Sequence, residues 1–149
     1  MPKGKQWTDQ HCPVARTVDL IGDRWSLLIV RDAFDGARRF SEFQRSLGIA
    51  KNILADRLRT LVELEILDAR PNEQGTRQEY TLTDRGRDLF LVIVSLRQWG
   101  ESHAFTENEQ HSTLVDDTAG DSVPVLRLVN QQGVELTSAN THVRKIGDG

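Results

Sequence analysis

Cysteine is almost missing from this chain: Cys12 is the only one in 149 residues. That excludes an internal disulfide framework and any multi-cysteine zinc site. Long apolar runs are missing too. The longest, Leu89 to Val94, is far short of the roughly 20 residues needed to cross a bilayer. The opening Met-Pro-Lys-Gly-Lys-Gln-Trp offers no apolar stretch for a signal peptide, so the expectation is a soluble, cytoplasmic protein with no membrane partner. The four histidines, His11, His103, His111 and His142, include no pair at i, i+3 or i, i+4, so no metal site is expected. No Gly-rich phosphate loop, HExxH or nucleophile elbow is present. No acid, base and nucleophile set can be assembled, so neither an enzyme nor a cofactor is expected. With 38% hydrophobic residues there is material for one modest core, not for a large cavity with lids.

What the chain does have is uneven charge. The formal net charge is −3, but Gly36 to Leu61 carries Arg38, Arg39, Arg45, Lys51, Arg57 and Arg59 against only Glu42 and Asp56. From Glu101 to Asp121 there are six acids and no Lys or Arg. A basic patch in an acidic protein can still meet a phosphate backbone, because charge placement acts within a Debye length of about 8 Å. The plain alternative is an ordinary solvated surface.

Hydrophobic spacing orders the elements. Cys12 to Leu20 reads as a short helix with Pro13 in its first turn, broken by Gly22-Asp23. An apolar helix carrying Trp25, Leu27, Leu28, Ile29, Val30, Ala33 and Phe34 ends at Gly36. Ser41 and Gln44 have capping-box spacing, so a short helix is expected to begin there. Gly48 stops it, and a helix from about Ala50 to Leu64 buries Leu54, Leu58 and Leu61. The opposite side carries Lys51, Asn52, Ala55, Asp56 and Arg59, which makes the pair a helix-turn-helix candidate. Extended segments Ile66–Pro71 and Gln78–Thr83, joined by a polar loop containing Gly75 and Arg77, read as a hairpin, the layout of a winged helix.

Thr83-Asp84 is expected to cap one long helix, about Asp84 to His103. Its segment Leu89 to Leu96 is apolar nearly all round, so it has to be covered on more than one side. A symmetric homodimer covers it most simply, with Val14, Val18, Ile21, Phe90, Ile93, Val94 and Arg97 at the interface; a fold-back of the C-terminal segment is the alternative. Val123–Val129 and Val134–Leu136 read as two strands of a small hairpin. The expected organisation is a winged-helix DNA-binding and dimerisation domain over residues 1–103 and an extension over 104–149. The fold class is mainly α with a small β-wing (α+β).

Three stretches resemble the HxlR-type branch of bacterial winged-helix regulators, related in fold to the MarR group. They are Cys12-Pro-Val through Gly22-Asp-Arg-Trp25 to Asp32, then Gly36 through Phe40-Ser-Glu-Phe43 to Leu61, then Glu79-Tyr-Thr-Leu-Thr-Asp-Arg-Gly86. The match covers about residues 10 to 103. The resemblance implies a dimer that binds operator DNA and represses or activates nearby genes, and it allows an oxidant or small-molecule effector. Two departures stand out. Ala50 replaces the family's usual serine or threonine at the recognition-helix start, which removes about 1 kcal/mol of capping. The tail lacks the paired cysteines of some longer relatives, so it reads as a zinc-free hairpin.

On this reading Lys51, Asn52, Ala55, Asp56 and Arg59 face base edges, since recognition helices present their N-terminal residues there. Arg38, Arg39, Ser41 and Arg77 suit phosphates. Arg57, in mid-helix, is expected to pair with a neighbouring acid. Cys12, at a helix start where the dipole favours thiolate, is a candidate redox sensor; the alternative is a small packed residue. Trp25, Phe34, Phe90 and Trp99 could line an aromatic pocket, although plain core is the simpler reading. The competing function is a winged-helix protein-interaction module without DNA binding.

Overall fold

A computed structural model describes residues 5–147. Packing divides the chain into two compact units, one up to Ile93 and one from Val94.

The first unit is built on α1 (Pro13–Ile21), α2 (Arg24–Phe34), α3 (Phe40–Leu47), α4 (Lys51–Glu63), β1 (Leu67–Pro71), β2 (Gln78–Leu82), α5 (Asp84–Arg87) and the start of α6 (Phe90–His103). Each helix start has a local cause. Cys12 precedes Pro13, and its Sγ accepts from the Ala15 amide at 3.4 Å. Asp23 caps α2 by accepting from the Ser26 amide at 3.0 Å. The α2 chain then leaves through Gly36 at φ 103°, a value an L side chain resists.

The start of α3 differs from the expected capping box. Ser41 lies inside the helix, and the N-cap position is Arg39. Glu42 Oε1 accepts from the amides of Arg39 (3.0 Å) and Arg38 (3.3 Å). The acid three residues into the helix therefore satisfies the orphan donors, and the hydroxyl at 41 is left exposed. Gly48, at φ 64°, closes α3 with its amide on the Gln44 carbonyl at 2.8 Å. Buried Ile49 anchors the three-residue turn into α4.

Leu54, Leu58 and Leu61 are fully buried, as their spacing required. They pack in one core with Ile21, Ile29, Val30, Phe43, Ile49, Leu64, Ile66 and Leu67. The wing strands pair antiparallel from Leu67↔Leu82 to Pro71↔Gln78. The Tyr80 amide donates to the Arg38 carbonyl at 2.7 Å, and Arg39 bridges Glu79. The wing is thus stitched to the strand-like entry of α3.

The expected single helix from Asp84 to His103 is two helices. The Leu89 amide bonds Gly86, three residues back, at 3.1 Å, and α6 resumes at Phe90. Thr83 caps α5 by accepting from the Gly86 amide at 3.0 Å, while its own amide reaches the Ile66 carbonyl at 3.1 Å. Tight attachment to the base of the wing fixes the first turn and forces the break.

In the second unit the hairpin is shorter than expected. β3 (Leu128–Val129) pairs antiparallel with β4 (Glu135–Leu136). The segment before β3 spends its hydrogen bonds elsewhere: the Leu126 amide donates to Gln98 Oε1 at 2.8 Å, and Gln98 Nε2 donates to the Pro124 carbonyl at 2.9 Å. Pro124 itself has no amide to give a ladder.

Candidate nucleic-acid interface

Burying the leucine stripe of α4 turns Lys51, Asn52, Ala55 and Arg59 outward, all exposed, with Asp56 half-buried. One cleft of about 390 Å³ is lined by Arg39, Phe40, Ser41, Gln44, Lys51, Arg77, Gln78 and Tyr80. It brings together the start of α3, the first residue of α4 and the foot of the wing loop. Three cations and no acid line it. Arg38, also exposed, lies just outside this lining, in a neighbouring concavity with Arg87.

The wing loop holds Arg77 by local order. Asn72 Oδ1 accepts from the Thr76 amide at 3.0 Å and the Arg77 amide at 3.4 Å, and the Asn72 amide donates to the Arg77 carbonyl at 2.7 Å. Gly75, at φ 68°, makes the turn possible. Gln44 Nε2 donates to the Ile49 carbonyl at 3.5 Å, fastening the turn between the two helices.

The cations fall into two groups. Among the described residues Arg38, Lys51 and Arg77 pair with no acid, and Arg39 stands 3.9 Å from Glu79. The arginines in the body of α4 are engaged. Arg57 Nε reaches Asp23 Oδ2 at 3.1 Å and its Nη1 reaches Asp56 Oδ2 at 2.8 Å, the acid pairing expected of a mid-helix arginine. Arg59 pairs with the other oxygen of Asp56 and stands 4.0 Å from Glu63. No side chain caps α4 at Ala50, so the first amides of this helix are left for an external acceptor.

Trp25 belongs to this region, which hydrophobicity alone had assigned to an aromatic pocket or the core. It lines a shallow concavity with Asn52, Ile53, Asp56 and Arg57, and the Arg24 guanidinium lies 4.3 Å from its ring centroid. Its place two residues after the N-cap Asp23, at the end of α2 facing α4, was the missed signal. Gln44, Gln78 and Tyr80 were missed as well; each is an ordinary helix or strand residue until the wing folds back.

The residues expected at a dimer surface separate. Val14 and Val18 are 72% and 59% exposed, and α6 exposes Phe90, Leu91, Leu96 and Trp99. Ile21 and Val94, in contrast, are 3% and 4% exposed, already covered within the chain. Ile93 is half-buried against the core. Arg97 Nη1 donates to the carbonyl and hydroxyl of Ser112, each at 3.0 Å. Phe34 and Phe90 meet edge to face at 5.4 Å, whereas Trp99 is 66% exposed, its ring 4.9 Å from that of His103. Cys12 is half-buried. Among the described residues no group of three His, Cys, Asp or Glu stands together to hold a metal ion, and no helix is long and apolar enough to cross a membrane.

A helix-turn-helix with an exposed reading helix, a basic cleft and a hairpin wing defines a winged-helix DNA-binding protein. Comparison with known proteins agrees: the family model described as HxlR-like helix-turn-helix matches residues 20–108, and the chain belongs to that family. It is similar to the HTH-type transcriptional regulator MT3179 of Mycobacterium tuberculosis, uncharacterized, at 41% identity over 128 residues, covering 85% of this chain and 81% of that protein. The crystal structure of PA1607, described as a proposed transcription factor, is 53% identical, with a TM-score of 0.88 over 91% of this chain and 96% of that one. The reduced form of HypR, described as a redox regulator, is 34% identical, with a TM-score of 0.59 over 62% of this chain and 94% of that one. This chain is accordingly a DNA-binding transcriptional regulator.

Proposed function

We propose that the protein acts as a homodimer on an inverted-repeat operator, with α4 of each protomer in the major groove and each wing against the flanking backbone. The observation that carries this is the acid-free cleft that gathers Arg39, Ser41, Lys51 and Arg77 beside the uncapped start of α4. Ser41 and the cleft cations, together with Arg38, hold phosphates and set the register. Lys51, expected from the sequence at base edges, is assigned to this set because it lines the cleft with Arg39 and Arg77. Asn52, Ala55, Asp56 and Arg59 face base edges, where Asn suits adenine and Arg suits guanine. Two such helices one DNA turn apart, roughly 34 Å, require half-sites with that spacing.

Residues 1–103 serve as the DNA-binding and dimerisation part on this reading, and 104–149 as an extension to it. The apolar side chains exposed on α1 and at the start of α6 form the dimer surface: Val14, Val18, Phe90 and Leu91, with Ile93 at its edge. Cys12, half-buried and within reach of the Ala15 amide, is the residue through which an oxidant or electrophile acts. A redox role for the similar protein HypR is consistent with this. Thiol labelling of the native dimer tests it, and an inert Cys12 removes it.

The test of the DNA reading is the salt dependence of binding to a duplex recovered by footprinting upstream of the protein's own gene. Affinity falls steeply between low and physiological salt. Lys51→Ala and Arg77→Ala each reduce the logarithmic salt slope by about one and weaken all duplexes alike. A flat salt response would favour a protein-interaction module instead.

A further inference from the structure

The two arginines in the body of α4 are not presented as phosphate anchors. An ion-pair chain runs from Asp23, the N-cap of α2, through Arg57 to Asp56 and on to Arg59 and Glu63. Asp56 sits at its centre: one carboxylate oxygen holds Arg57 and the other holds Arg59. Three acids outnumber two arginines along this chain. The outer face of α4 beyond Lys51 therefore carries no surplus positive charge, although the helix is rich in arginine.

Such pairs between largely exposed side chains add little to stability. Arg59 and Asp56 have side chains 64% and 44% exposed, so the fold does not need them there. What the pair does is restrict a flexible side chain. A guanidinium gripped on one edge by a carboxylate keeps its remaining N–H donors in one plane and direction, which suits a bidentate acceptor such as the O6/N7 edge of guanine. The same carboxylate opposes phosphate oxygens that approach Arg59, because like charges repel.

We infer that Asp56 is a positioning residue for Arg59: it holds that arginine for guanine readout and suppresses binding to DNA of arbitrary sequence. The inference rests on the reading of α4 as the major-groove helix. Affinity then comes mainly from the acid-free cleft of Arg39, Lys51 and Arg77, and discrimination from the Asp56–Arg59 unit.

The experiment uses the full chain and two duplexes of equal length and composition. One is enriched by the wild-type protein from a random-sequence pool, and the other is a scrambled version of it. With Asp56→Asn, affinity for the scrambled duplex rises several-fold at low salt, and its salt slope steepens by about one, as a further cation becomes available to phosphates. Discrimination between the duplexes falls by at least about fivefold, the low end for losing one bidentate pair. Arg59→Lys, which keeps the charge and loses the fork, lowers discrimination without steepening the slope. Combining Asp56→Asn with Arg59→Ala lowers discrimination no further than Arg59→Ala alone, because Asp56 acts on base readout through Arg59. A folded Asp56→Asn protein with unchanged slope and discrimination overturns the inference while leaving the α4 reading intact. A wild-type protein that enriches no sequence overturns both.

Discussion

Asp23 does two jobs at once. It accepts from the Ser26 amide as the cap of α2, and it receives Arg57 from α4. Partial burial opposes its ionisation, but the hydrogen bonds from Ser26 and the charge of Arg57 outweigh that and hold its pKa below the usual 3.8. A carboxyl with a depressed folded pKa contributes stability that is complete above its unfolded value and is lost as the pH falls through the folded one. Its contribution is therefore intact at neutral pH and disappears only below about pH 3.8. Asp23→Ala should cost about 0.5–2 kcal/mol at pH 7 through loss of the cap, measured by urea unfolding, with the gap from wild type closing in strong acid. A gap independent of pH would mean that packing, not the charge, is what the substitution removes. At this scale the sequence was readable wherever one residue type served one local need. Leu54, Leu58 and Leu61 had to be buried together, and Gly48 had to end a helix. It was unreadable where a partner came from a distant segment: nothing near Arg57 names Asp23, 34 positions earlier.

Among the elements, the junction between wing and α5 is tight. A Cβ built on Gly86 would stand 2.2 Å from the Ile66 carbonyl oxygen and 3.0 Å from Leu82 Cδ2. The first contact is with backbone and cannot yield by a change of rotamer. Gly86→Ala should therefore destabilise by about 1–3 kcal/mol, as overpacking does, despite alanine's better helix propensity. Gly100, inside α6, has nothing within 4 Å of the same construction, so Gly100→Ala should stabilise by about 0.5–1 kcal/mol. Paired urea denaturation curves read both, and the same sign for the two would refute the steric account. This junction also explains why one helix was expected and two are found. Apolar periodicity runs unbroken through Leu89 to Leu96, and it says nothing of a glycine pressed against a neighbouring carbonyl. Likewise the start of α3 was placed at Ser41 because its spacing to Gln44 fits a capping box, yet Glu42 reaches back to the Arg38 and Arg39 amides and the helix starts at Phe40, with Arg39 in the N-cap place. Among the described residues, four of the five helices of eight residues or more, excluding only α6, follow the spacing within one or two residues. The first C-terminal strand is shorter than expected, because the stretch before it, at Pro124 and Leu126, bonds to Gln98 instead of to a neighbouring strand.

For the molecule as a whole, the open matter is what covers the apolar side chains left outside on α1 and α6. Hydrophobic patterning correctly marked these helices as carrying more apolar surface than one core takes up, but it could not sort each residue to one side or the other. Ile21 and Val94 have gone inward, and Val14, Val18 and Leu96 remain outside. That sorting decides which substitution probes association without damaging the fold. Val94, 4% exposed, is a poor choice, since an aspartate there buries an unpaired charge and unfolds the chain. Val18, 59% exposed, can take a charge at little cost to the protomer. If a second copy covers it, Val18→Asp desolvates a carboxylate at the interface and drives the dimer apart. Sedimentation velocity should then show the monomer mass, with an unchanged helical circular dichroism spectrum. Loss of the linked second half-site should weaken binding to an inverted-repeat duplex by about 10²–10⁴-fold, while binding to a single half-site changes little. A Val18→Asp protein that still sediments as a dimer would place the association surface away from α1, and the half-site spacing expected of the operator would have to be derived from that other surface.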